Sequence, residues 1–438
     1  MMKTPEDTPA LRIPIKTPVE DFSLGEYLWS RCQTAQQTML DRTIELCEIN
    51  SGSFNNQGIS EIQQKLKSLF QPIADSYQTI DLPDSELVDD EGKTQTYALR
   101  PMQVFRFNPE AECQLLLTGH SDTVFPTESS FQCCSIKQNH LHGPGTADMK
   151  GGLMVMLQSL LLLREILADT FTSECPLGFT VAISPDEETG SLGSAETLTN
   201  LARQADFGLT FEPALSNGML AGARKGSGNF TLCAYGKSVH AGRDFFSGHN
   251  ACLAIATVCS ELAALSDEEN GITLNIGKIS GGGAVNVVPD FAQCRFNARF
   301  QHQHQQVTIE QKFREIICRV EQQSHCKLRL SGQFSRPVKV MSQQQSQMYQ
   351  LLRHCGEKLN IPIKWQATGG CCEGNNLAAA GLLNIDTLGV RGSGIHSGQE
   401  YACIDSFAER SALVTSFMLH LLQQKSGSLN SEMERLLC

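Results

Sequence analysis

The chain has no Cys-x-x-Cys spacing, no long basic run and no apolar stretch long enough to cross a bilayer. Each absence argues against a class of protein. Its 17 cysteines are scattered, odd in number and adjacent at Cys133-Cys134 and Cys371-Cys372, which argues against a disulfide framework or a structural Cys-zinc site. They read instead as small buried thiols in a reducing cytoplasm. With 47 acidic against 35 basic residues, the formal charge of −12 argues against nucleic acid or an anionic membrane as a partner. The longest apolar run, Leu153 to Leu163, is interrupted by Gln158 and Ser159 and reads as a buried helix rather than a membrane span. Residues 1–22 mix prolines and acids with no apolar segment, so they read as a loosely docked or disordered tail and not as a secretory signal. No internal repeat is found, and the biased tracts are Gln301–Gln306, which reads as a solvated turn around His302 and His304, and Ser342–Gln347.

What remains is an ordinary globular composition, 41% hydrophobic and 19% charged, over 438 residues, enough for two or three domains. From about residue 110 to 213, strand-like and helix-like segments alternate: "QLLLTGHSD", "GGLMVMLQSLLLLREIL", "LGFTVAI", a helix opening near Ser194, and "ADFGLTFEP". That alternation predicts an α/β domain with a mostly parallel sheet and helices on both faces. Between Gly226 and Arg336 the order becomes βαββαβ, as in a small ferredoxin-like sheet covered by two helices on one side, with one strand read over Asn286–Phe300. The α/β pattern then resumes with a helix near "QMYQLLRHCGEKL", the strands "PIKWQA" and "NIDTLGV", and a closing helix. The predicted organisation is a discontinuous catalytic domain over residues 1–225 and 336–438, interrupted by an inserted domain over residues 226–335.

Open parallel sheets gather ligands beyond the carboxyl ends of their strands. Here those ends carry acids and imidazoles. "TGHSD" places His120 and Asp122 on one side of an extended segment, where the carboxylate can hold the second imidazole nitrogen. "HGPGTADMKGG" places Asp148 at a helix start, "ISPDEETGS" crowds Asp186, Glu187 and Glu188, "TFEP" carries Glu212 before a proline, and "RGSGIHSGQEY" holds His396 in a glycine-rich loop. Each has a bland reading alone: a satisfied histidine, an N-cap aspartate, an acidic turn. Together they fit a two-metal site in which one carboxylate bridges, and in which one member of the Glu187-Glu188 pair binds metal while its neighbour moves protons.

In order along the chain, "TGHSDTVFP", "GPGTADMKGG", "PDEETGSLGS", "FEP", "GKSVHAG" and "GGGAVNVVP" resemble the di-zinc metallopeptidases that include glutamate carboxypeptidase, acetylornithine deacetylase and succinyl-diaminopimelate desuccinylase. The resemblance spans roughly residues 45 to 420, and "INSGSFNNQG" with "GPGTADMKGG" looks most like the glutamate carboxypeptidase branch. It implies two divalent ions, zinc with cobalt or manganese as substitutes, held by His120, Asp148 and Glu212 on one side and by Asp148, Glu188 and His396 on the other. It implies Glu187 as general base and acid, Asp122 behind His120, and a cis peptide at Asp148-Met149. The inserted domain becomes a lid and dimerisation domain, with His240 reaching an active site, often the partner's, to stabilise the oxyanion, and with Asn286 and Arg299 holding the substrate carboxylate. Bland readings of a turn asparagine and a surface arginine stand beside these.

One motif departs from the family. In "ATGGCCEGNNLAAAGL", Gly369 and Gly370 still let a substrate backbone approach, but Cys371, Cys372 and Glu373 replace the usual hydroxyl-and-aspartate pair. The cysteines read as packing, with competition for zinc as the alternative. The resemblance implies hydrolysis of an amide beside a free carboxylate in a small peptide or N-acyl amino acid, by a homodimer. The expected activity is that of a carboxypeptidase releasing an amino acid such as glutamate, with an N-acyl amino acid deacylase as the alternative. A non-catalytic binding or assembly relative and a metal-free acid-pair hydrolase are the rivals from other classes.

Overall fold

The computed structural model describes residues 23–170 and 175–426, so the expected N-terminal tail lies outside the described residues. A six-stranded sheet occupies the centre. Its strands are β1 (Ser76–Ile80), β2 (Met102–Phe107), β3 (Cys113–His120), β4 (Leu177–Ser184), β5 (Phe207–Thr210) and β6 (Asn384–Ile385), in the spatial order β1-β2-β4-β3-β5-β6. The pairs β4–β3, β3–β5 and β5–β6 are parallel, whereas β1–β2 and β2–β4 are antiparallel. The expected sheet is therefore mixed, with its parallel part in the half that carries the strand-end acids. Side chains of β3 alternate between faces, Leu115 and Leu117 to the larger hydrophobic cluster and Leu116 to a smaller one, so both faces are buried.

On the first face pack the helices Leu24–Cys47, Lys150–Thr170 and Ser406–Ser426. Contrary to the expectation from the short apolar run, helix Lys150–Thr170 is long and apolar enough by length and composition to cross a membrane, but it is mostly buried, as a core helix is. On the second face lie Ala195–Ala202 and Glu373–Ala379, over Val104, Leu116, Leu198 and Leu377. Strands β1 and β2 and the hairpin of strands Ser85–Val88 and Thr94–Tyr97 had no counterpart in the sequence reading, because they are short and lack a long apolar run.

The inserted segment forms its own antiparallel sheet. Gly226–Tyr235 lies between Phe291–Phe300 and Lys327–Arg336, and Thr273–Gly281 pairs with the outer side of Phe291–Phe300. Helices Ala251–Ala263 and Gln305–Ser324 cover it around Phe230, Phe296 and Phe313. The strand expected from Asn286 begins only at Phe291; the stretch before it contains Pro289, which has no N–H to give a ladder. Glutamines after Ser342 form the first turn of helix Gln343–Lys358, since the Ser342 hydroxyl accepts the Gln345 N–H at 3.1 Å. His302 and His304 are exposed, as a solvated turn predicts.

Two features tie the inserted sheet to the central one. At its stems, Arg224 and Lys339 exchange backbone hydrogen bonds of 2.9 and 3.0 Å, and both cations converge on buried Asp386 beside β6, at 2.7 and 2.9 Å. Removing that carboxylate strands two buried cations, so Asp386→Ala is expected to cost about 3–5 kcal/mol, read from urea unfolding. Farther out, the tip of hairpin 85–97 docks on the inserted sheet. Asp90 pairs with Lys278 at 2.6 Å and Arg295 at 2.9 Å, and the Gly92 carbonyl accepts the Tyr235 hydroxyl at 3.0 Å and Arg329 Nη2 at 2.5 Å.

Candidate metal centre

The acids and imidazoles expected at the strand ends converge. His120 ends β3 with no exposed surface, its Nδ1 3.0 Å from the Asp122 carbonyl and 3.4 Å from Asp122 Oδ1. Its Nε2 faces Asp148 Oδ1 at 3.2 Å and Glu212 Oε1 at 3.8 Å. The second oxygen of Asp148 lies 3.2 Å from His396 Nε2, which is also 3.2 Å from Glu188 Oε2. Two donor sets follow, His120 with Asp148 and Glu188, and His120 with Glu187 and Glu212, each with ligand atoms within 4.8 Å of one another.

Local structure explains the convergence. Asp148 precedes a cis peptide to Met149 and the helix that starts at Lys150. The two glycines after Lys150 let the helix start pack closely: a Cβ on Gly152 would lie 2.1 Å from the Phe211 carbonyl just beyond β5, and one on Gly151 2.3 Å from the Thr146 carbonyl of its own approach loop. Asp122 does more than hold His120. Its carboxylate accepts the N–H groups of Glu187 and Glu188 at 3.2 and 3.1 Å and the Ser53 hydroxyl at 2.7 Å, so it also fixes the acidic turn.

Charge is crowded here. Burial pushes Glu188 up to about 8, with the Asp148 charge adding to it, and burial with Asp148 and Glu187 holds Glu212 well above the usual carboxylate range. Asp148 goes the other way: burial opposes ionisation, but His120 and His396 outweigh it. Burial would lower His120, yet Asp122 and Asp148 hold it well above its ordinary value, and bonds to Asp148 and Glu188 raise His396 to about 11. Glu212 Oε1 is buried without a hydrogen-bond partner. Imidazole nitrogens and carboxylate oxygens at this spacing, with one orphaned buried oxygen, fit divalent cations of the zinc type.

Three groups absent from the expected site complete it. Arg336, at the end of the last inserted strand, donates to Glu187 Oε1 at 2.5 Å, to the Glu187 carbonyl at 3.1 Å and to Asn376 at 2.6 Å. Burial raises the Glu187 carboxyl, and Arg336 pulls it back. Glu400 accepts the N–H groups of Ala147 and Asp148 at 2.9 and 3.0 Å. Ser53 is the third, through Asp122. The legible hint for Glu400 was its place four residues after His396 in the same loop; Arg336 lay in "SRPVK", which reads only as a domain flank. Because Glu400 orients the residue shared by both histidines, Glu400→Ala is expected to weaken metal binding about 10–100-fold, measured by competition with a chelating dye.

The remaining expected residues lie apart from this cluster. Arg299 donates to the Gly369 carbonyl and, at 2.9 Å, to Asn297, while the Gly370 carbonyl accepts Arg224 Nη1 at 3.2 Å. His240 is exposed, with Nδ1 accepting the Gly242 N–H at 3.0 Å, and the Asn286 carbonyl accepts the Ala241 N–H at 2.8 Å. His240 is not among the groups of described residues that could hold a metal ion. Cys372 caps helix Glu373–Ala379 by accepting the Gly374 N–H at 3.3 Å, and Cys371 donates to the Lys225 carbonyl, so both thiols pack.

A family model for "Peptidase family M20/M25/M40" matches residues 116–420. The chain belongs to this peptidase family. It is 25% identical over 317 residues to carboxypeptidase G2 of Pseudomonas sp. (strain RS-16), covering 70% of this chain and 74% of that one. It is 27% identical over 266 residues to a succinyl-diaminopimelate desuccinylase of Corynebacterium glutamicum, covering 55% and 69%. A tripeptidase from Staphylococcus aureus shares the fold, with a TM-score of 0.69 at 23% identity over 89% of this chain and 99% of that one. This M20 peptidase is thus a metallohydrolase, and the described residues include two groups that could hold a metal ion, both built on His120.

Proposed function

We propose that this M20 peptidase uses two divalent ions, zinc before cobalt or manganese, to hydrolyse an amide beside a free carboxylate and release a C-terminal amino acid such as glutamate. The observation that carries this reading is Asp148, each of whose oxygens faces a different imidazole at 3.2 Å. A carboxylate so placed suits a bridge: His120, Asp148 and Glu212 would hold one ion, and Asp148, Glu188 and His396 the other. When bound, the ions supply Lewis acidity and a more acidic water. Glu187 would serve as the base that accepts a proton from the attacking water and as the acid that returns it to the leaving amine, its backbone N–H held by Asp122. Arg299, beside Gly369 and Gly370, takes the substrate carboxylate, helped by Asn286.

Arg299→Ala is expected to raise KM for carboxylate-bearing substrates more than it lowers kcat, and to spare a carboxylate-free analogue. The deciding experiment is a panel of dipeptides and N-acyl amino acids assayed with zinc, cobalt and manganese. Turnover confined to N-acyl amino acids would favour the deacylase reading, which the desuccinylase relative supports. No turnover with any member would favour a binding role.

Homodimerisation through residues 226–335, taken as the inserted domain, is supported by exposed apolar side chains near His240 and Asn286, among them Phe246, Leu253, Val285 and Val287. A dimer would let His240 serve its partner's site and stabilise the oxyanion there. Sedimentation velocity of the intact protein tests this. A cytoplasmic location is supported by the cysteines, every one a free thiol among the described residues.

A further inference from the structure

We infer that the hairpin of residues 85–97 is a strap that pins the far end of the inserted sheet and thereby keeps Arg299 against Gly369; this rests on the substrate-carboxylate role given to Arg299 above. Three strands of that sheet share the same two ends. Gly226, Phe300 and Arg336 lie at the end beside the paired stems, and Tyr235, Phe291 and Lys327 lie at the other. Arg299 stands at the stem end, and Phe291, on the same strand, is roughly 26 Å away at the rise of an extended chain. A sheet held only at adjacent stems can tilt about them as on a hinge. One gripped at both ends cannot, and the side chains it carries keep their positions.

The hairpin is shaped for this grip. Asp90 is 60% exposed, so its ion pairs with Lys278 and Arg295 are individually weak, and the seating of Gly92 supplies the specificity. Gly92 has a φ of +77°, and a Cβ there would lie 2.6 Å from Phe291 Cε2 and 2.9 Å from the Tyr235 hydroxyl, so only glycine fits between those two rings. Arg295 also donates to the Val88 carbonyl at 2.9 Å. Asp89 sets the shape of the tip, its Oδ1 accepting the N–H groups of Glu91 and Lys93, each at 2.9 Å. At the root, the Ala98 carbonyl accepts Asn56 Nδ2 at 3.0 Å, and Leu99 covers Gly193, where a Cβ would lie 2.4 Å from Leu99 Cδ1. The Gly193 N–H donates to Asp186 Oδ2 at 2.8 Å, in the turn that carries Glu187 and Glu188. The strap thus joins the acidic turn to the far end of the sheet by a route independent of the stems.

The test measures amide hydrogen exchange by mass spectrometry on the intact zinc-loaded protein and on two variants, Gly92→Ala, which obstructs the seat, and Asp90→Ala, which removes the ion pairs without straining the turn. Exchange in the stem segments 223–228 and 334–340 is expected to rise about three- to tenfold in Gly92→Ala and less in Asp90→Ala, while helix Lys150–Thr170 keeps its protection. Kinetics with N-acetyl-L-glutamate and glycyl-L-glutamate then read the placement of Arg299. In Gly92→Ala, KM should rise about three- to tenfold with kcat changed by less than about twofold, because the competent arrangement is populated for a smaller fraction of the time. That rise should largely vanish in an Arg299→Ala background. Unchanged exchange at the stems in both variants would overturn the strap, whatever the protein hydrolyses. Faster exchange with an unchanged KM, or with effects that simply add to those of Arg299→Ala, would overturn the placement of Arg299 by the strap. If neither compound is cleaved, the hydrolase reading fails for them and calorimetric binding of N-acetyl-L-glutamate takes the place of KM. Weaker binding by Gly92→Ala than by the unaltered protein keeps the inference, and equal binding or none removes it.

Discussion

Glu187→Gln is expected to leave the metal content at two ions per chain and to lower kcat by about 10²–10⁴-fold, the usual worth of a positioned general base. Glutamine matches the carboxylate in shape but cannot take a proton. The fold should survive the exchange, because Arg336 keeps the Glu187 backbone carbonyl and Asn376 as acceptors and because Asp122 holds the turn by its N–H groups. Elemental analysis and steady-state kinetics on the same preparation check both halves. Turnover within tenfold of the unaltered protein would remove Glu187 from the proton path, and loss of metal would make it a ligand.

Asp148→Ala should be more severe for the metal. One carboxylate faces both imidazoles, so its removal deprives both proposed ions of a ligand and leaves His120 and His396 without a common partner. The loss in affinity should exceed the roughly 100-fold upper range for removing an outer-sphere partner, and turnover should fall below detection at any practical metal concentration. Isothermal titration with zinc reads this directly. A variant that still bound two ions tightly would disprove the bridge.

The two expected effects concern residues visible in the sequence, and the reason is physical. Parallel strands present their ligands at their carboxyl ends, so His120, Glu187, Glu188 and Glu212 stand next to recognisable apolar segments, and Asp148 and His396 sit in glycine-marked loops. Groups that act through distant contacts leave no such mark. Glu400 meets Ala147 across 253 positions, and Arg336 meets Glu187 across 149. Strand β1 and hairpin 85–97 were missed because short polar strands carry little periodicity, β2 because its apolar positions fill only six residues, and the onset of the strand at Phe291 was misjudged because apolar Val287 and Val288 precede Pro289.

The paired stems at Arg224 and Lys339 carry a consequence for how such a protein can be rebuilt. Where a polypeptide departs from and rejoins a scaffold at adjacent, mutually bonded residues, the intervening segment can be exchanged without moving the scaffold's ends, although the contacts of Arg336 with Glu187 and of the segment with hairpin 85–97 would go with it. A tight turn spliced between those two positions would span the gap without stretching the scaffold, and a related segment with differently shaped walls could be grafted at the same seam.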